Sequence, residues 1–69
     1  MMHGFTHIST HARNIRRNDI LSYDPLRIAQ DTEVTTLDDG IQVIKVTLTN
    51  GIVDHFIPNT IVELDRPCE

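Results

Sequence analysis

The sequence predicts an all-β chain arranged as an antiparallel meander of five strands. Three observations carry that expectation. β-Branched residues abound, with nine Ile, five Val and eight Thr among 69 residues, and such stiff side chains pack well on a pleated surface. Asp38-Asp39-Gly40 and Asn50-Gly51 are hairpin signals, because Gly and Asn tolerate the positive φ of tight turns. Between them, residues 41–49 alternate with the period of two that marks a half-buried strand.

The elements follow in order. Residues 20–23 form the first expected strand, closed by Tyr23-Asp24-Pro25. Residues 26–37 and 41–49 form two long strands around Asp38-Asp39-Gly40. Residues 52–58 form the fourth, and a short Pro58-Asn59-Thr60 turn leads into the last at 61–64. No repeat, linker or low-complexity stretch interrupts the chain. One domain over residues 1–69 is expected, with 1–19 as a flexible N-terminal arm and 20–66 as the β core.

Register can be argued from the turns. A three-residue loop at Asp38–Gly40 sets Val34 against Ile44, Thr32 against Val46 and the opposite charges Glu33 and Lys45 against each other. A two-residue turn at Asn50-Gly51 sets Leu48 against Val53, Val46 against His55 and Ile44 against Ile57. The expected core is then Val34, Ile44, Val46, Leu48, Val53 and Ile57, joined by Ile28, Val62 and Leu64. The expected outer face carries Ile41, Val43, Ile52 and Phe56 beside Lys45. An apolar patch of that kind marks a contact site, for a protein partner or for a second copy in a homodimer.

Size and charge narrow the function. A chain of 7.9 kDa has no room for a multi-domain enzyme, and one so short hides only about 60% of its unfolded surface. No apolar run approaches the ~20 residues of a membrane span, and the N-terminus lacks a signal-peptide core. A single cysteine, Cys68, forms no internal disulfide, so a cytoplasmic setting is expected. The net charge of −4 is uneven: the basic Arg13, Arg16, Arg17 and Arg27 lie within residues 1–30, and eight of the ten acids within residues 31–69.

Four motifs bear on chemistry. His3, His7 and His11 recur every four residues. On a helix they would approach metal-ligand spacing, but Phe5-Thr6-His7-Ile8-Ser9-Thr10 favours an extended chain, where neighbours of that spacing stand about 13 Å apart. No metal and no other cofactor is expected. Arg13, Arg16 and Arg17 are a candidate nucleic-acid contact, since such charges supply affinity for a polyanion; the bland alternative pairs them with Asp31, Asp38 and Asp39. His55 falls on the expected core face. Catalysis finds no nucleophile–base pairing and no phosphate-cradling glycine loop, and a turn explains Asp38-Asp39.

A resemblance joins these elements. The short strand opened by Arg17-Asn18-Asp19-Ile20-Leu21, three central strands, and the turn inside Phe56-Ile57-Pro58-Asn59-Thr60-Ile61-Val62-Glu63-Leu64 resemble a small barrel of the Src-homology-3 type, in which a 3₁₀ turn precedes the last strand. The whole, over roughly residues 13–66, is also similar to short open reading frames of actinobacterial bacteriophages and their hosts. Position 18 is Asn where the commoner pattern has Gly. The resemblance implies a five-stranded antiparallel barrel and carries no functional residue. The expected function is a non-enzymatic, phage-type accessory module that binds a macromolecular partner through its β surface. A nucleic-acid-binding barrel using Arg13, Arg16 and Arg17 and a structural homo-oligomer are the alternatives. No small-molecule substrate is evident.

Overall fold

In the computed structural model residues 4–68 are described, and extended backbone dominates them. The strands are β1 (Phe5–His11), β2 (Ile20–Tyr23), β3 (Leu26–Thr36), β4 (Gln42–Leu48), β5 (Val53–Phe56) and β6 (Ile61–Pro67), with one 3₁₀ turn at Ala12–Asn14. They pair antiparallel in the order β1-β6-β2-β3-β4-β5. The chain is all-β and antiparallel, as its composition predicts. Among the described residues it differs in having six strands and an open sheet, with β1 and β5 at the edges.

The extra strand is the N-terminal segment expected to be a flexible arm. Phe5–His11 pairs along its whole length with β6, from Phe5 opposite Pro67 to His11 opposite Ile61. Alternation sets Thr6, Ile8 and Thr10 on one side, where Ile8 and Thr10 are half-buried, and Phe5, His7 and Ser9 on the other, where all three are exposed. Ile8 sits opposite Leu64 and packs on the core.

β3 is the spine of the sheet. Its first residues pair with β2, and from Ala29 onward it pairs with β4, with a bulge between Ala29 and Asp31. A bulge bends a strand and sharpens its twist, so one long element serves both halves. The core where those halves meet comprises Ala12, Ile15, Ala29, Ile44, Val46, Leu48 and Leu64, with Ile8, Leu21, Phe56 and Val62 packed against it. Full burial of a side chain such as Leu48 or Leu64 stabilises by about 1.5–3 kcal/mol. That is a sizeable share for so small a domain.

The first hairpin has the expected register: Thr32, Glu33 and Val34 face Val46, Lys45 and Ile44. The second is shifted by one residue. Ile44 faces Phe56, Lys45 faces His55 and Val46 faces Asp54, because the loop holds three residues and not two. The Leu48 N–H donates to the Ile52 carbonyl at 2.8 Å and the Gly51 N–H to the Leu48 carbonyl at 2.9 Å. Gly51 takes φ +87, open to glycine without a steric penalty. A one-residue slip exchanges the faces of a strand. Phe56 therefore points to the core, while His55, Val53 and Ile57 are exposed. Val34 faces Ile44 but is 62% exposed, so it stays outside the core.

Candidate functional site

The outer face of β3–β4–β5 is the first candidate. Thr35 pairs with Val43, and the register carries Ile57 to the other side of Val43. Leu37 and Ile41 close the hairpin on the same face, joined by the Leu37 N–H to the Ile41 carbonyl at 2.8 Å. Leu37, Ile41 and Ile57 are 44%, 50% and 54% exposed, whereas Val43 is 5% exposed beneath its neighbours. Lys45 lies next along the strand, 3.6 Å from Glu33.

Of the five residues expected to form this patch, Ile41, Val43 and Lys45 share the face. Phe56 does not, because the shifted register turns it inward. Ile52 is exposed but sits at the β4–β5 turn, at the far end of β4. Ile57, assigned to the core by the sequence reading, and Leu37, opposite Ile41, complete the face.

The second candidate is the segment after β1. Arg13, Arg16 and Arg17 are all exposed. None pairs with Asp31, Asp38 or Asp39; among the described residues Arg13 instead donates to Asn59 Oδ1 at 2.9 Å. Arg16, Arg17 and Asn18, with Asp19, Arg66 and Pro67, border an open cleft of about 360 Å³. Asp19 at its base is fully buried. Arg66 clasps it with Nε on Oδ1 at 3.0 Å and Nη2 on Oδ2 at 2.8 Å, and this pairing raises the Arg66 pKa further above its ordinary value. Sequence reasoning missed Asp19 and Arg66, whose partnership spans 47 positions.

The third candidate surrounds His7. Its Nδ1 lies 2.9 Å from Asp65 Oδ1 and its Nε2 3.2 Å from Glu63 Oε1. The Tyr23 hydroxyl donates to the other Asp65 oxygen. Hydrogen bonds to the carboxylates of Asp65 and Glu63 raise the His7 pKa above 6.5. The Tyr23 hydroxyl and His7 lower that of Asp65 below 3.8, and Asp65 raises that of Tyr23. The two ring nitrogens point to opposite sides, so this is a cross-strand clasp and not a chelate. His11 stands at the end of β1, and His3 lies outside the described residues. Among the described residues no three His, Cys, Asp or Glu side chains converge as a metal cradle, and no helix is long and apolar enough to cross a membrane.

The chain matches no family model, no curated protein and no solved structure.

Proposed function

We propose that the chain is a non-enzymatic interaction module that binds one protein partner through the outer face of β3–β4–β5. A single observation carries this: Leu37, Ile41 and Ile57 stay exposed together around Val43. Scattered apolar residues on a surface need no explanation, but a contiguous group rimmed by polar side chains marks a contact site. Glu33, Lys45 and His55 supply such a rim, and an apolar centre with a polar border is the ordinary anatomy of an interface.

The finer reading is a strand arrangement of Src-homology-3 kind, with the sheet left open, in a phage-type accessory protein. The order β6-β2-β3-β4-β5 supports it, with β3 shared between two halves. So does the tight turn before β6, where the Thr60 N–H donates to the Ile57 carbonyl at 2.9 Å. β1 is then an addition on one edge.

Affinity capture with the tagged wild type and with Ile41→Asp tests the proposal. Ile41 is half-exposed, so its replacement leaves the fold intact, which a thermal melt verifies. The wild type should retain a partner that Ile41→Asp loses by about tenfold or more, the loss of an interface residue worth about 1.4 kcal/mol. Equal recovery by both would overturn the proposal. Sedimentation distinguishes the self-association reading: a two-copy species that Ile41→Asp splits would make the partner a second copy.

A further inference from the structure

We infer that residues 13–18 form a binding site for the sugar-phosphate backbone of a nucleic-acid duplex. The chain has six Lys and Arg residues. Three are neutralised within the fold: Arg27 by Asp54, Lys45 by Glu33 and Arg66 by Asp19. The remaining three, Arg13, Arg16 and Arg17, have no carboxylate within ion-pair distance among the described residues, and all three lie on one exposed segment.

That segment is held in place from below. The Ala12 N–H donates to the Thr60 carbonyl at 2.9 Å, Arg13 N–H to Pro58 at 3.2 Å, and Asn18 N–H to Ala29 at 2.7 Å. Ala12, Ile15 and Asp19 are buried beneath it. A backbone ordered in advance loses less freedom on binding. Among the described residues Asp19 is the one carboxylate lining the Arg16–Arg17–Asn18 cleft, and it is buried and already matched by Arg66, so the exposed charge of those lining residues is that of Arg16 and Arg17. Asp31 borders the neighbouring cleft shared with Arg17. The acids Asp38 and Asp39 are at the tip of the β3–β4 hairpin. From Ala29 to that tip is about 30 Å of extended chain, beyond the ~8–10 Å over which exposed charges act at ordinary salt.

The chemistry of the segment selects the backbone of a duplex. Arginine and asparagine donate to phosphate and sugar oxygens, and Asn14 and Asn18 flank the arginines. Among the described residues no aromatic ring lines either cleft, so unpaired bases find none there to stack on, the contact on which single-strand binding depends.

Fluorescence anisotropy with a labelled duplex of arbitrary sequence and the whole chain tests this. Three phosphate contacts give a slope of log K against log salt of about −2.7, or about 40-fold weaker binding between about 50 and 200 mM. Arg16→Gln with Arg17→Gln should flatten the slope to about −0.9, leaving only the Arg13 contact. The thermal melt should not move, because both side chains are exposed. No duplex binding at low salt, or an unchanged slope in the double variant, overturns the inference. Tighter binding of a single strand overturns the duplex assignment. A double variant that alters sedimentation and leaves duplex affinity alone also overturns it, and makes the arginines a contact between copies. Ile41→Asp should leave duplex affinity unchanged, which separates this site from the outer face.

Discussion

Arg66 holds both oxygens of the buried Asp19 carboxylate with its guanidinium fork, and the same Nη2 also donates to the Asn14 carbonyl at 3.0 Å. The Arg16 N–H completes the shell on Oδ2 at 2.8 Å. The end of β6 is thereby tied to the loop that presents Arg13, Arg16 and Arg17. Removing one partner of such a pair strands a charge where water cannot reach it. Arg66→Ala should cost about 3–5 kcal/mol in urea denaturation. Arg66→Lys should recover only part of this, because an ammonium cannot form the fork. A cost below about 1 kcal/mol, the level of exposed pairs, would show that the pair is not structural.

Phe56 and His55 should respond in opposite ways to substitution. Phe56 packs on the core and His55 is exposed. Phe56→Ala should cost about 2–3 kcal/mol, somewhat below the loss for a fully buried ring. His55→Ala should stay within about 0.5 kcal/mol, as surface changes do. The reverse order, read from thermal or urea midpoints, would restore the two-residue turn.

What was legible in the sequence was local. Leu37-Asp38-Asp39-Gly40-Ile41 formed its three-residue loop as read, with Gly40 at φ +86. Leu48-Thr49-Asn50-Gly51-Ile52 repeats that pattern, down to the side-chain oxygen of Asp39 or Asn50 accepting from the N–H of Ile41 or Ile52. That likeness was the signal for a three-residue loop in the second hairpin, and the Asn-Gly pair obscured it. β1 was not legible because its partners on β6 are 50 positions away or more, and Thr6, Ile8 and Thr10 alone do not say what they pair with. Asp19 gave no local sign of burial for the same reason. The outer face was half legible: Ile41, Val43 and Lys45 follow from β4 alone, whereas Phe56 and Ile57 depend on the register of β5.

Gly51 offers a direct check of that loop. At φ +87 an L side chain meets the left-handed penalty of about 1–2 kcal/mol, although no atom lies within 4 Å of an added Cβ. Gly51→Ala should lower stability by about that amount through conformation alone. A neutral result would mean that the loop does not use the left-handed region.

The His7 clasp makes the hold of β1 depend on pH. Its pKa is raised in the folded chain, so the folded state binds the proton more tightly than the unfolded one. Stability from this source is fully present below pH 6.5 and is lost as pH rises through the raised value. Asp65, whose pKa is lowered, acts in the other direction: its contribution is present above 3.8 and lost as pH falls through the lowered value. Following the His7 ring protons by NMR should give an inflection above 6.5 that Asp65→Asn brings down. An inflection unmoved by that substitution would mean the clasp does not form in solution. High salt should weaken the effect, because His7 is exposed.

The outer-face proposal is tested most directly by mapping backbone amide shifts while the captured partner is titrated into isotopically labelled chain. The expected result is a contiguous set of changes at Thr35, Leu37, Ile41, Val43, Lys45 and Ile57, with Arg16 and Arg17 unmoved. Changes confined to β1 or to residues 13–18, with the amides of Ile41 and Ile57 still, would contradict it.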